Sequence, residues 1–176
     1  VHAKPAEEAF ISAGYGVKRH EIMYNDFVIA GPADDPAGVR GLRDAGTALG
    51  RIAAASATFV SRGDDSGTHK KENAIWKQAD IHPEGAWYRQ VGQGMGKTLQ
   101  IAGELDGYTL VDRGTWLAYH SKSPLQLLVA GGEVLRNPYG IIAVNPARFP
   151  DANHADVQRL IDWFESDEAH ALIAGY

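Results

Sequence analysis

The sequence predicts an α/β fold with a largely parallel sheet that is buried on both faces. Continuous apolar segments alternate with helical segments along the 176 residues. Strands of this kind are typical of sheets covered on both sides, because both faces then need apolar side chains. The composition suits a folded chain with a core, since 44% of the residues are hydrophobic and 22% are charged. The length fits one domain or two small lobes.

The first half of the chain alternates in this way up to a turn rich in glycine, acids and hydroxyls. A proline in the first turn and Gly14 just past the end delimit a first helix. Pro32 ends a buried strand, and the ADDPAG sequence that follows has turn chemistry. The predicted elements are a helix at 5–13, a strand at 26–31, a turn at 33–38, a helix at 46–56, a strand at 57–61 and a helix at 67–79.

The second half predicts three more strands and four more helices. Pro146 ends the last strand, and apolar residues at i, i+3, i+4 and i+7 predict a core-facing stripe on the helix after it. That stripe consists of Val157, Leu160, Ile161 and Phe164. The predicted elements are helical turns at 84–90, a glycine-rich loop at 92–96, helices at 97–105, 113–120, 154–166 and 167–176, and strands at 108–112, 125–131 and 139–146.

Charge and composition argue against several classes of function. The formal net charge of -5 argues against nonspecific binding to nucleic acid. The chain has no cysteine, which removes disulfides, thiolate metal sites and cysteine nucleophiles. No segment approaches the ~18 apolar residues of a membrane span, and the first residues lack the pattern of a signal peptide. The seven histidines are scattered without HExxH spacing, so we expect no metal site.

The segment FVSRGDDSGTHKKE has the layout of a ligand-binding turn between a strand and a helix. In open α/β sheets, ligands bind beyond the carboxyl ends of strands, at helix N-termini. Gly63 and Gly67 allow a tight bend and a close approach of the backbone, and Ser66 or Asp65 can cap the helix. A helix start with free amides is a ready anion site.

Several donors converge on this predicted anion site. The amides near Gly67, Thr68 and His69 lie at the helix start, and the hydroxyls of Ser66 and Thr68 lie beside them. Arg62 at the end of the strand adds a two-pronged charged donor. All of these groups donate hydrogen bonds, which is what an anion requires.

Three positive or ionisable residues occupy the first turn of the same helix. His69, Lys70 and Lys71 stand where the helix dipole disfavours positive charge, and a bound anion would neutralise that end. The simpler alternative is an ordinary capped helix whose lysines face solvent and are screened by neighbouring acids. The spacing leaves both alternatives open.

Two further helix starts carry a second set of candidate contacts. The GQGMG loop offers backbone donors at the start of the next helix, although a flexible turn is the simpler explanation. In the DRGT sequence, the arginine again stands at a helix start, where an ion pair behind a capping aspartate is the simpler explanation. The candidate second contacts are Gly94, Met95, Gly96 and Arg113.

Two enzyme motifs fail on spacing. A nucleophile elbow needs glycine two positions before and after the serine, and Ser66 has aspartate and threonine there. The GKT sequence lacks the earlier glycine of a phosphate loop, because Val91 stands in its place. A reaction carried by Asp64, Asp65 or His69 is therefore the less favoured hypothesis, and no catalytic residue is predicted.

Five blocks of the sequence together resemble one family. The blocks are MYNDFVIAGPADDPAG, FVSRGDDSGTHKKE, GQGMGKTL, YTLVDRGTWL and NPYGIIAVNP. In this order they resemble the extracytoplasmic tungstate-binding proteins of ABC importers, over most of the chain. The combination is far more specific than any single block.

The resemblance implies a type II periplasmic-binding-protein fold, with two α/β lobes that close over a tetrahedral oxyanion. It assigns 33–138 to lobe two, and 1–32 with 139–176 to lobe one. It implies anion contacts from Arg62, Ser66, Gly67 and Thr68. Tungstate or molybdate would be the ligand rather than a cofactor, and the membrane subunits of an ABC importer would be the partner. The implied location is periplasmic or extracellular.

The chain departs from the family pattern at its start. Family members normally begin with another lobe-one segment that carries a TTTS-type motif, and VHAKPAEEAF matches the stretch after it. We therefore expect lobe one to be incomplete, with an exposed sheet edge and half of the cleft missing. A truncated lobe that no longer binds is one alternative. A phosphate or sulfate binder is another, because Asp64 or Asp65 could accept the proton of monohydrogen phosphate.

Overall fold

The chain forms two compact units connected by two backbone segments. The computed structural model describes residues 3–175; the first unit comprises the segments up to Tyr24 and from Pro138, and the second runs from Asn25 to Asn137. The connections lie within two strands that pair with each other, β1 (Gly16–Gly31) and β6 (Arg136–Val144). The assignment of two lobes with limits at 32 and 139 remains a prediction.

The second unit contains most of the helices and strands. Its elements are α2 (Ala45–Ala54), β2 (Phe59–Ser61), α3 (Gly67–Gln78), β3 (Tyr88–Gln90), α4 (Met95–Glu104), β4 (Thr109–Asp112), α5 (Arg113–Tyr119) and β5 (Gln126–Val129), with 3-10 turns at His120–Lys122 and Glu133–Leu135. The helical turns predicted at 84–90 are wrong: residues 84–87 hold a bend and a single turn, and β3 then pairs with β2, a tertiary pairing that overrides the local pattern. Helix α4 begins two residues before its predicted start at 97.

The strands of the second unit belong to two sheets, one with β1, β4 and β5 and one with β2 and β3, which corrects the prediction of a largely parallel sheet. Strands β2 and β3 are parallel, and a single parallel bridge joins Phe59 to Tyr108, just before β4. Strand β1 is antiparallel to both β4 and β5. The apolar pattern did not reveal this direction, because a strand buried on both faces is continuously apolar in either orientation.

The buried half of β1 separates two apolar clusters. Phe27 and Ile29 face one cluster, which α2, α3 and Tyr108 cover. Val28 and Ala30 face the other, which α4 and Trp116 of α5 cover. This alternation is the period of two expected of a strand, and it explains why the stretch is apolar at every position.

The polar half of β1 lies in the first unit and was missed by the prediction, which began the strand at 26. The strand runs for 16 residues from Gly16, and its burial pattern there is mixed. Charged and polar side chains such as Lys18, Arg19 and Glu21 hide this half from a search for apolar runs. Its pairing with β6 gives it the extended conformation that its own residues do not indicate.

The first unit also contains α1 (Lys4–Ser12), α6 (His154–Phe164) and α7 (Asp167–Ala174). The predicted last helix extends to Tyr176, which lies outside the described residues. The apolar stripe of α6 is only partly buried: Ile161 is 1% exposed, whereas Leu160 is 46% exposed. The predicted core-facing stripe is therefore correct for Ile161 and wrong for Leu160.

Candidate anion-binding site

Three strand-to-helix turns of the second unit carry all the predicted site residues. Strand β2 leads into α3, β3 into α4, and β4 into α5. Strand β2 is parallel to β3, and a parallel bridge joins it to Tyr108 just before β4, so the three turns follow strand ends that point in the same direction. The fold thus brings the two sets of predicted contacts to the same end of these strands.

The first turn, residues 62–66, is held against the second by backbone contacts. Val91 N donates to Ser61 O at 3.1 Å, and Gly92 N donates to Arg62 O at 2.7 Å. Gly63 has φ +60°, and a Cβ at this position would lie 2.7 Å from Gln90 Cβ. Glycine is required there for both conformation and space.

The start of α3 has both satisfied and free amides. Ser66 is the N-cap, and its hydroxyl accepts from His69 N at 3.3 Å, while Ser66 N donates to Asp64 Oδ1 at 3.1 Å. The His69 amide, predicted to be free, is therefore occupied. Within residues 3–175, the amides of Gly67 and Thr68 have no acceptor, and the Thr68 hydroxyl makes no hydrogen bond. These three donors belong to two of the four predicted anion contacts, Gly67 and Thr68; contact of any of the four with an anion remains a prediction.

The Arg62 guanidinium is held by Asp64, two residues further on. Arg62 Nε donates to Asp64 Oδ2 at 3.1 Å, and Nη2 donates to the same oxygen. Burial opposes ionisation of Asp64, but hydrogen bonds from Ser66 and Arg62 outweigh it and keep the pKa of this carboxyl below its ordinary value. Asp64 therefore fixes both the fork of Arg62 and the N-cap backbone, a role that the sequence did not reveal.

The lysines in the first turn of α3 have partners within the protein. Lys70 Nζ donates to Asp65 O at 2.9 Å and to Asp65 Oδ2 at 3.1 Å. Lys71 is half-buried, and its Nζ donates to Val134 O at 3.1 Å and to Arg136 O at 3.0 Å. These contacts account for both lysines at the helix start without a bound anion or a solvent-facing orientation. The two lysines therefore do not indicate a ligand.

The second turn leads into α4 with a row of free amides. Gly94 is the N-cap and provides no side-chain cap, while the Thr98 hydroxyl and amide bond back to Gly94 O at 3.1 and 2.9 Å. Among the described residues, no acceptor meets the amides of Met95, Gly96 and Lys97. The Met95 side chain packs in an apolar cluster, so only its backbone is available to a ligand.

The third turn places Arg113 in an ion pair rather than free at the edge. Arg113 Nε and Nη2 donate to the two carboxylate oxygens of Asp26 at 2.5 and 2.6 Å. Asp112 caps α5 by accepting from Thr115 N at 2.8 Å. The simpler of the two sequence interpretations thus accounts for Arg113, and a ligand contact from it remains a prediction.

A buried carboxylate behind the first two turns was missed by the sequence analysis. Glu72 is 1% exposed, and its Oε1 accepts from Trp76 Nε1 at 3.2 Å and from the Tyr88 hydroxyl at 2.7 Å. Burial raises the pKa of Glu72 despite these donors. A signal was present, because Thr68, Glu72 and Trp76 recur every four residues and share the buried face of α3.

Other classes of site find no support in the described part of the chain. Residues 3–175 hold no group of three or more His, Asp or Glu side chains arranged to bind a metal, and His2 lies outside them. No helix in this range has the length and apolar content needed to cross a membrane.

A family profile described as a PBP superfamily domain matches residues 1–168. Among curated proteins, a candidate ABC-transporter anion-binding protein of Haloferax volcanii is 49% identical over 181 residues, and the tungstate-binding protein TupA of Peptoclostridium acidaminophilum is 43% identical over 178. Both alignments cover 100% of this chain but only 53% and 62% of the respective relatives. The chain thus spans little more than half the length of these relatives.

Solved structures share the fold closely. The tungstate ABC transporter protein from Geobacter sulfurreducens superposes with a TM-score of 0.89 at 47% identity, over 100% of this chain and 75% of that one. The similarity extends over both compact units, because it covers the whole chain.

Proposed function

Because the chain belongs to the PBP superfamily, we propose that it binds a tetrahedral oxyanion, tungstate or molybdate, and passes it to the membrane subunits of an ABC importer. Support comes from relatives that are named for tungstate binding and tungstate transport. In this role the anion is cargo, no cofactor takes part and no chemical step occurs. The proposed location is the periplasm or the cell exterior, because an importer collects its cargo there.

The observation that carries the proposal is a pair of adjacent helix N-termini with amides that lack acceptors in the described chain. Gly67 and Thr68 supply those of α3, and the first turn of α4 supplies the others. Helix N-termini attract anions through these amides and through the helix dipole. Both helices follow parallel strands that are directly paired, so their free amides belong to one edge of one sheet.

The donors are of the kind that a fully deprotonated dianion needs. Backbone amides, the Thr68 hydroxyl and the remaining Arg62 nitrogen all donate. The Asp64 carboxylate, which could accept the proton of monohydrogen phosphate, already accepts from Arg62 and Ser66 N. Asp65 Oδ2 accepts from Lys70. The amides and Arg62 only donate, so tungstate, molybdate or sulfate fits this donor set better than phosphate, whose proton would need a spare lone pair of Asp64 or Asp65.

Titration calorimetry tests the proposal directly. We expect the chain to bind tungstate and molybdate more tightly than phosphate. Arg62→Ala should reduce tungstate affinity by about 100-fold or more, because a charge-assisted contact is lost from a partly buried site. Arg159→Ala is the matched control, because this side chain is 82% exposed and lies on α6.

Two results would contradict the proposal. One is an Arg62→Ala variant that binds tungstate as tightly as the unmodified chain. The other is a folded chain that binds none of tungstate, molybdate, sulfate and phosphate, which would favour the alternative of a lobe that does not bind. Turnover of a generic phosphoester would instead revive the enzyme hypothesis.

A further inference from the structure

The two turns with free amides are connected behind the sheet edge by one buried side chain. Glu72 lies in the second turn of α3, and Tyr88 begins β3, the strand that leads into the second turn. The Tyr88 hydroxyl donates to Glu72 Oε1 at 2.7 Å. This contact spans from the helix that follows the first turn to the strand that precedes the second.

We propose that Glu72 is a positioning residue that fixes the two anion-binding turns relative to each other through Tyr88. The inference rests on the proposed function for its ligand, but the contact itself is independent of any ligand. A charged acceptor makes a stronger bond with a hydroxyl than a neutral one does, and a buried bond of this kind is geometrically demanding.

The surroundings of Glu72 restrict it to this arrangement. Trp76 Nε1 donates to the same oxygen at 3.2 Å, which holds the carboxylate against its own helix. The Ser61 hydroxyl is fully buried beside Glu72 and Tyr88, yet it makes no hydrogen bond of normal geometry within the described residues. The carboxylate, the indole and the phenol therefore form a compact polar group under the end of β2.

Loss of the contact should be felt at the backbone bonds between the turns. Val91 N to Ser61 O and Gly92 N to Arg62 O are the hydrogen bonds that join the first turn to the second. Their donor residues, Val91 and Gly92, lie within four residues of Tyr88 along the chain. If Tyr88 is released, these amides open more often, and the free donors of α3 and α4 lose their fixed separation.

The test compares two Tyr→Phe variants of matched chemistry. Tyr88→Phe removes the hydroxyl that reaches Glu72. Tyr108→Phe removes a hydroxyl that donates to Asp35 Oδ1 at 2.8 Å, in the same unit but with no contact to either turn. Each variant loses one phenol–carboxylate bond, and Tyr108→Phe also removes the acceptor of Ala37 N at 3.0 Å. A general loss of stability should therefore be at least as large in this control.

Hydrogen exchange of the ligand-free chain provides a readout that does not depend on binding. In Tyr88→Phe, we expect the amides of Val91 and Gly92 to exchange about 10-fold faster, since a bond to a charged group corresponds to about that change in an opening equilibrium. In Tyr108→Phe, these two amides should exchange as in the unmodified chain. Unchanged exchange in Tyr88→Phe, or equal acceleration in both variants, would overturn the inference.

Tungstate affinity supplies the second readout. Tyr88→Phe should weaken binding by about 10-fold, in the range seen when an outer-shell partner of a binding site is lost, and Tyr108→Phe should stay within about twofold. The effect of Tyr88→Phe should shrink in a Glu72→Gln background, because the two residues act through one bond. If the unmodified chain binds no anion, the proposed function fails, and the exchange data alone decide the role of Glu72.

Discussion

The two compact units of this chain differ in what holds them together. The second unit buries one apolar cluster on each face of β1. In the described part of the first unit, Ile161 and Ala169 are the buried apolar residues, while larger ones such as Tyr24 and Leu172 are 64% and 58% exposed. The candidate site lies wholly in the second unit, so its geometry depends on the better-packed of the two.

The contrast extends to polar interactions. Glu7 is 5% exposed in the first unit, and it accepts from Arg19 Nε and from Ala3 N, both at 2.5 Å. The ion pair between Asp26 and Arg113 in the second unit, which is bidentate, is more exposed. The first unit is thus organised around a buried ion pair, whereas the second is organised around apolar side chains. We expect the first unit to open locally at lower free energy.

The largest expected effect is a difference in stability loss between two Phe→Ala variants, one in each unit. Phe59→Ala should lower the free energy of unfolding by about 3–5 kcal/mol, because this ring is fully buried against Trp76 and Tyr88. Phe149→Ala in the first unit should cost about 1 kcal/mol or less, because that ring is 38% exposed. Urea unfolding of both variants measures the difference. Equal losses would contradict the distinction between the units.

The next effect concerns the buried ion pair. Arg19→Met should destabilise the first unit by about 3 kcal/mol, because it leaves the Glu7 carboxylate buried without its charged partner. Arg113→Met serves as the counterpart and should cost about 1 kcal/mol, because its side chain is 36% exposed. Hydrogen exchange, followed separately for the amides of each unit, would show which unit is destabilised by each substitution. A larger loss for Arg113→Met would reverse the comparison.

The smallest effect is a pH dependence within the second unit. Burial raises the pKa of Glu72 from its ordinary value of 4.5, so its favourable contribution is complete below that value and is lost as pH rises through the raised pKa. The unmodified chain should therefore lose stability relative to Glu72→Gln as pH increases over this window. Chemical unfolding of both proteins at a series of pH values, from about pH 4 upward, measures the difference between them. A difference in stability that is constant with pH would show that folding does not raise the pKa of Glu72.

The sequence revealed the fold class because the family blocks and the apolar strands agree. The predicted α/β, type II binding-protein fold is confirmed by the family match and by the structural neighbours. The direction of β1 was not predictable from its residues, since Phe27 to Ala30 are apolar on both faces. The polar half of β1 was not predicted as a strand because its side chains show no apolar pattern. Its pairing with β6 makes it a strand.

The features of the candidate site that depend on neighbouring residues in the sequence were predictable. Ser66 as the N-cap and the free amides of Gly67 and Thr68 follow from the order of residues in one turn. The partners of Lys71 and Arg113 are 63 or more residues away along the chain, and no local pattern identifies them. For Glu72, the sequence indicates a position on the buried face of α3, but it does not identify the partner Tyr88.

The two turns also differ in how much change they can absorb. A side chain at Gly63 would collide with Gln90, and its φ of +60° disfavours any other residue. Gly94 has φ -61°, and a Cβ there would meet no atom within 4 Å. Position 63 therefore requires glycine, whereas position 94 can accept a side chain next to the candidate anion site. Evolutionary or engineered retuning of ligand preference would begin at Gly94.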